Sequence, residues 1–132
     1  ADYGVATMGL TFITLEDIVK EDPDRVQRFL KAAMKGLEFA FSNTEETLDI
    51  VLKYADKEDR DHMRFMLLTE KMDAISPATE DNGLGWMRRQ QWQDYHDTLL
   101  EYGALANAID VESAYTDRFI KEIYTEGRLH WP

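Results

Sequence analysis

The sequence has no cysteine and little proline, glycine or positive charge. Its 132 residues include three prolines and seven glycines, and 15 lysines and arginines stand against 26 acidic residues. The absence of cysteine excludes disulfides, thiolate zinc sites and cysteine nucleophiles. The net charge of −11 repels phosphate backbones and therefore argues against nucleic-acid binding through a basic surface. The same charge disfavours binding to anionic membrane surfaces.

Long apolar runs and familiar catalytic motifs are also missing. No stretch approaches the roughly 20 apolar residues of a membrane-spanning helix. The sequence contains no Gly-x-Ser-x-Gly, phosphate-binding loop or dinucleotide-binding fingerprint. It begins at Ala1 and shows no signal peptide, so we read it as a mature or trimmed chain. A content of 44% hydrophobic and 11% aromatic residues predicts one packed unit and not a disordered segment.

Most of the chain has the spacing of amphipathic helices, and we predict a mainly α-helical structure of about five to six helices. Asp22-Pro23 places an N-cap before a proline at the first helical position, and Gly103 suits a helix end. The predicted helices cover residues 15–21, 23–41, 44–55, 57–75, 86–102 and 115–124, and residues 76–85 are predicted to form a loop. The predicted inward faces include Phe29, Phe41, Leu48, Trp92, Leu99, Phe119, Ile120, Ile123 and the row Phe65, Leu68, Met72, Ile75.

Residues 10–14, Leu-Thr-Phe-Ile-Thr, are β-branched or aromatic and predict one short buried N-terminal β-strand. A buried strand without a neighbour leaves its backbone N–H and C=O groups without hydrogen bonds, and each such group costs about 1–3 kcal/mol of folding free energy. Three interpretations follow. The strand pairs with a second copy in an oligomer, or the chain is one piece of a larger α/β protein, or these residues do not form a strand. We favour the second.

Several segments resemble, in their order and spacing, the C-terminal part of the solute-binding proteins of bacterial ABC importers. The similarity is to the family that binds thiamine pyrimidine precursors and to the related nitrate, sulfonate and taurine carriers. It covers nearly the whole chain but less than half of the family's usual length, and no single motif decides it. The segments are Asp2-Tyr3-Gly4-Val5, Gly9 with residues 10–14, Ile18-Val19-Lys20-Glu21-Asp22-Pro23-Asp24, Arg28-Phe29-Leu30-Lys31-Ala32, Lys35-Gly36-Leu37-Glu38-Phe39-Ala40, Asn43-Thr44-Glu45-Glu46-Thr47, Ile50-Val51-Leu52-Lys53-Tyr54, Gly85-Trp86-Met87, Leu99-Leu100-Glu101-Tyr102-Gly103 and Tyr115-Thr116-Asp117.

The resemblance implies a protein of two α/β lobes that close on a small molecule, with this chain as its C-terminal segment. It implies a thiamine pyrimidine precursor or a similar heterocycle as the ligand, an ABC permease as the partner, and no catalysis. It also implies a periplasmic or extracellular location, with a lipid anchor as an option for the full-length protein. The family's ligand-contacting segments lie largely upstream of Ala1, so the resemblance implies that the chain needs them to bind.

Two residues are the candidates for ligand contact. Tyr3 precedes residues 10–14 where the family's chain leaves the region between the lobes, and Trp86 follows the glycine-containing stretch at the edge of the predicted loop. Trp92 is better explained by core packing. We predict neither a cofactor nor a metal site, because His62, His96 and His130 lack the spacing of a ligand set and fit solvated helix surface.

Two alternatives come from other functional classes. Some relatives of this fold make the thiamine pyrimidine, so the chain could be part of a biosynthetic enzyme. It could also be a free-standing helical interaction module that forms a homo-oligomer through residues 10–14.

Overall fold

The structure is a computed structural model that describes residues 9–55 and 57–131, and seven α-helices occupy most of this part. A 3₁₀ turn at Val111–Ser113 precedes the last helix, and two short antiparallel strands follow it. The mainly α-helical prediction is therefore confirmed. The elements are α1 (Glu16–Glu21), α2 (Pro23–Ser42), α3 (Thr44–Leu52), α4 (Arg60–Ala74), α5 (Pro77–Asn82), α6 (Arg89–Glu101), α7 (Arg118–Ile123), β1 (Tyr124–Thr125) and β2 (Arg128–Leu129).

Side-chain caps fix where the long helices begin. The Asp22 carboxylate accepts a hydrogen bond from the Arg25 backbone N–H at 3.2 Å, with Pro23 at the first helical position. Asp59 accepts from the His62 N–H at 2.8 Å at the start of α4. After α6, Gly103 has a positive φ of 72°, which a residue with a Cβ adopts only at a cost. The predicted start of α2 and the glycine after α6 are confirmed.

The prediction of a loop over residues 76–85 is wrong, because α5 occupies six of these positions. The Ser76 hydroxyl accepts from the Thr79 backbone N–H at 3.3 Å, and the Thr79 hydroxyl accepts from the Ser76 N–H at 2.8 Å. This reciprocal cap satisfies two backbone donors at the helix start. Pro77 occupies the first helical position, where the missing N–H costs nothing.

The predicted last helix over residues 115–124 is shorter, and a hairpin that was not predicted follows it. Tyr124 pairs with Leu129, and Thr125 pairs with Arg128. Both residues of the turn have positive φ, 49° at Glu126 and 71° at Gly127, as a two-residue turn of type I′ requires. Two residues in each strand are too few to show an alternating pattern.

The hydrophobic core lies where α2, α7 and the hairpin meet. Met34, Ile120, Ile123 and Tyr124 form its buried cluster. Four half-buried side chains pack against this cluster, namely Leu30, Leu84, Trp86 and Leu129. The predicted burial of Phe41, Leu48 and Phe119 is also confirmed.

Residues 10–14 do not form the predicted buried strand. They have no regular structure, and the side chains of Leu10 and Ile13 are 90% and 91% exposed. Their side-chain contact with a helix is the edge-to-face pair of Phe12 and Phe29, whose ring centroids lie 5.4 Å apart. A strand is held by ladder hydrogen bonds to a neighbour, and the described chain offers none here. Residues 10–14 therefore give no evidence for a sheet that is completed by other polypeptide.

The predicted inward face of α4 is also wrong. Phe65, Leu68, Met72 and Ile75, which we call the α4 stripe, are all exposed. The half-buried residues Met63, Leu67 and Ala74 share the opposite side of the helix, which packs on α2 and α3. The sequence therefore carries two apolar rows on α4, and spacing alone does not say which of them faces the core.

Ion pairs join α3 to α4. Glu45 accepts hydrogen bonds from Arg64 Nε at 2.7 Å and from Arg60 Nη2 at 2.9 Å. These two guanidinium groups, Arg64 first, lower the pKa of Glu45 from its ordinary 4.5 to about 2. Because the folded state holds the carboxylate charged, its stabilising contribution is complete above about pH 4.5 and is lost as the pH falls towards 2.

We predict that Arg64→Gln raises the Glu45 pKa back towards 4.5, as measured by NMR titration of the carboxyl carbon. Arg25→Gln is the matched control, because Arg25 pairs with Asp22 and not with Glu45. An unchanged Glu45 pKa in the Arg64 variant would contradict the assignment of this ion pair.

Candidate functional site

A sharp turn at Gly83, which we call the corner, joins α5 to the segment before α6. Gly83 has φ 104° and ψ 157°, a region of backbone conformation that is essentially restricted to glycine. A Cβ at Gly83 would overlap the ring of Tyr124. The Trp86 backbone N–H then donates to the Gly83 carbonyl at 3.2 Å. The close approach of a tyrosine ring to glycine thus sets the position of Trp86.

Trp86 is half-buried and packs against the hydrophobic core cluster. The Lys121 ammonium lies 5.7 Å from the centroid of its ring, within the range of a cation–π contact. The core cluster and the Lys121 ammonium therefore contact part of the indole surface of Trp86. The role of Trp86 in ligand contact stays a prediction. Tyr3 lies outside the described residues, and its role likewise stays a prediction.

A groove of about 360 Å³ opens between α2, α4 and the corner, and we call it the Glu38 groove. Its volume is at the lower end of the range for small-molecule sites. One carboxylate and one ammonium face it, together with apolar walls. Its lining residues are Glu38, Phe41, Ser42, Lys71, Ile75 and Leu84.

Hydrogen bonds hold both charged groups of the Glu38 groove. The Tyr124 hydroxyl donates to Glu38 Oε1 at 3.3 Å, and Lys71 Nζ donates to the Phe41 carbonyl at 2.7 Å. Burial, with the nearby Glu38 carboxylate, raises the pKa of Tyr124, so its phenol stays protonated and remains a donor. This groove was not predicted from the sequence, because its lining residues come from three separate segments.

A second cluster connects α6 to the segment that follows it. The rings of Trp92 and Tyr115 stack with centroids 4.9 Å apart and an interplanar angle of 7°. Trp92 and His96 line a small apolar cavity of about 120 Å³. The indole N–H of Trp92 is buried without a hydrogen-bond partner among the described residues. The expected core-packing role of Trp92 agrees with this arrangement.

His96 is buried, with 8% of its surface exposed, so its placement on solvated helix surface is wrong. The Ile109 backbone N–H donates to His96 Nε2 at 3.1 Å, and Nδ1 lies 2.8 Å from Asp97 Oδ1. An imidazole that accepts at Nε2 and donates at Nδ1 satisfies both contacts in its neutral form. The hydrogen bond from His96 lowers the pKa of Asp97. His96 thus fastens the segment after α6 to that helix.

We predict that His96→Ala costs about 1–3 kcal/mol of unfolding free energy, because it removes the acceptor of the Ile109 N–H and opens space in the core. Urea unfolding measures the cost, and amide hydrogen exchange at Ile109 should become faster. His62→Ala is the control, since His62 is exposed on α4. Equal stability of the two variants would contradict this role of His96.

Residues 9–55 and 57–131 contain neither a metal-binding cluster of side chains nor a membrane-spanning helix. In this part of the chain, no three histidine, aspartate or glutamate side chains come together as a metal-binding group. None of its helices is both long and apolar enough to cross a membrane.

Comparison with known proteins finds one family model that matches part of the chain and two curated proteins that are similar to most of it. Residues 1–47 match the family model described as NMT1/THI5 like. The chain is 26% identical over 108 residues to the riboflavin-binding protein RibY of Chloroflexus aurantiacus, an alignment that covers 80% of this chain and 31% of that protein. It is 29% identical over 106 residues to the formylaminopyrimidine-binding protein of Halalkalibacterium halodurans, with 74% and 32% covered.

The chain therefore spans about a third of the length of the curated relatives that it matches. Both relatives are named as binding proteins and not as enzymes. No solved structure matches the chain. The resemblance drawn from the sequence segments is confirmed as a similarity, by the family model over residues 1–47 and by the two relatives at 26% and 29% identity.

Proposed function

We propose, from its similarity to the family model described as NMT1/THI5 like and to two proteins named as binding proteins, that the chain forms part of an extracytoplasmic binding protein of an ABC importer. The proposed ligand is a thiamine pyrimidine precursor or a similar nitrogen heterocycle. The observation that carries the proposal is the similarity to two heterocycle-binding proteins over about three quarters or more of this chain. The proposed location is periplasmic or extracellular, and the proposed partner is the importer's permease.

The surface of the chain supports its place within a larger protein. The segment before the first helix exposes apolar side chains, because Leu10, Ile13 and Leu15 are each at least 70% exposed. Apolar surface of this extent is normally covered in a folded protein. These observations favour a segment of a two-lobe protein over a self-contained module.

The proposed mechanism is binding without a chemical step. Two lobes exchange between open and closed arrangements, and a ligand that contacts both lobes shifts the equilibrium by its stronger affinity for the closed form. The permease would then recognise the closed form. The negative charge of the chain suits an uncharged or cationic ligand better than an anionic one.

Isothermal titration calorimetry on the full-length protein tests the proposal. We expect saturable binding of a formylaminopyrimidine or of riboflavin, and no binding of nitrate or taurine. Saturable binding of nitrate or taurine alone would keep the binding role and correct the ligand class. The absence of binding to all four compounds would contradict the proposed function.

The two candidate contact residues can be tested in the same assay. We propose that Tyr3 and Trp86 contact the bound heterocycle, so Tyr3→Ala and Trp86→Leu should each weaken its binding about tenfold or more, as expected for the loss of one aromatic contact. Tyr102→Ala is the matched control, because Tyr102 is an aromatic residue that is 74% exposed and is not a candidate for ligand contact. Unchanged affinity in a folded variant would remove that residue from the site.

A further inference from the structure

The α4 stripe is a regular apolar surface that stays exposed in the described structure, and Ile75, the residue that follows α4, also lines the Glu38 groove. Its members are spaced by three, four and three residues, which places them on one side of a helix. Phe65 is 67% exposed and Met72 is 78% exposed, while Leu68 and Ile75 are about two-fifths exposed. The other side of α4 already packs on α2 and α3. A helix with apolar rows on two sides is typical of one that is buried on both sides.

The size of the stripe argues against a second copy as its cover. Four side chains on one helix present at most a few hundred Å² of apolar surface, whereas a stable protein–protein interface buries about 800 Å² on each partner. A segment of the same polypeptide needs no such area, because its tether keeps its local concentration high. The curated relatives are about three times as long as the part this chain matches. The necessary polypeptide is therefore available in proteins of this kind.

We infer that the α4 stripe is an internal interface of the complete protein, covered by polypeptide that the relatives have and that these 132 residues do not include. The inference rests on the proposed function only for the existence of that polypeptide. It assigns to α4 a position between two layers, with Met63, Leu67 and Ala74 facing one layer and the stripe facing the other. The charged residues Glu70 and Asp73 on the flanks of α4 are exposed and remain in contact with solvent.

Thiol labelling of the full-length protein tests the inference, since the 132 residues contribute no cysteine. Met72→Cys places a thiol in the stripe, and Glu70→Cys places one at an exposed polar position of the same helix. Any cysteine elsewhere in the protein is replaced by serine. We expect a maleimide to modify the Met72→Cys thiol at least tenfold more slowly than the Glu70→Cys thiol in the native protein, and both at similar rates in urea.

Each outcome decides a different question. Equal native rates at the two positions would overturn the inference, and protection that disappears on dilution would identify a second copy as the cover and also overturn it. Protection that is independent of concentration supports it. Calorimetry on the same variants separates the two proposals: ligand binding with a fully reactive Met72→Cys would refute only the covered stripe, and a protected thiol without any ligand binding would refute only the proposed function.

The wild-type protein provides a second measurement if a cysteine variant fails to fold. Peroxide converts accessible methionines to sulfoxides, and peptide mass spectrometry reports the rate at each position. A covered stripe predicts that Met72 is oxidised at least tenfold more slowly in the native protein than in urea. Oxidation of native Met72 at the unfolded rate would overturn the inference without any substitution.

Discussion

Gly83→Ala is expected to destabilise the protein by about 3 kcal/mol or more. The backbone at Gly83 lies in a conformation that side chains avoid, at about 1–3 kcal/mol. The added methyl group would also overlap the buried Tyr124 ring, and forcing extra volume into a packed core costs about a further 1–3 kcal/mol. Tyr124 cannot yield easily, because it belongs to the core cluster and starts the hairpin. Urea unfolding followed by circular dichroism measures the loss.

Gly103→Ala separates the two causes. Gly103 also has a positive φ, 72°, but a Cβ there would meet no atom within 4 Å. We therefore expect only the backbone cost of about 1–2 kcal/mol. If Gly83→Ala were no more damaging than Gly103→Ala, the close packing of Tyr124 on the corner would be wrong.

Leu48→Ala is expected to cost about 2–5 kcal/mol. Leu48 is 1% exposed, so the substitution removes buried methyl groups and leaves a cavity that the surroundings fill only partly. The loss lowers the urea midpoint with little change in the slope of the transition. A cost below 1 kcal/mol would show that the site collapses around alanine or that α3 is less tightly packed than the structure shows.

Ile50→Ala on the same helix is the matched control. Its side chain is 42% exposed, and alanine has the higher helix propensity. We expect its cost to stay below about 1.5 kcal/mol, since only part of the side chain leaves a packed environment. The difference between the two variants measures burial on α3, with helix and residue size nearly constant.

The sequence predicted the helices well because their signals are local. Asp22-Pro23 marks the start of α2, and the apolar spacing of Phe119, Ile120 and Ile123 marks the buried side of α7. The predictions were wrong where the structure of a segment depends on residues that are distant in the sequence. Residues 10–14 have strand composition but no neighbour to pair with in the described part of the chain. Helix α4 has two apolar rows, and only tertiary packing determines which of them is buried.

The site was less accessible to prediction than the helices. The Glu38 groove combines residues from α2, α4 and the corner, and nothing in the spacing of Glu38, Lys71 and Tyr124 indicates that they meet. His96 looked like a surface residue because charged and polar residues surround it in the sequence, yet its ring accepts a backbone N–H from 13 positions away. Such contacts are fixed by the path of the chain and not by local pattern.

The hairpin after α7 contacts α5 at one point and the corner after α5 at another. The Tyr124 ring lies against Gly83, and Gly127 in the turn lies so close to the Glu80 carbonyl that a Cβ there would overlap it. The number of residues between Tyr124 and Gly127 is thereby fixed, because one insertion would move the turn away from α5 or the ring away from the corner. Homologous chains that keep this corner should therefore have no insertions or deletions between Tyr124 and Gly127.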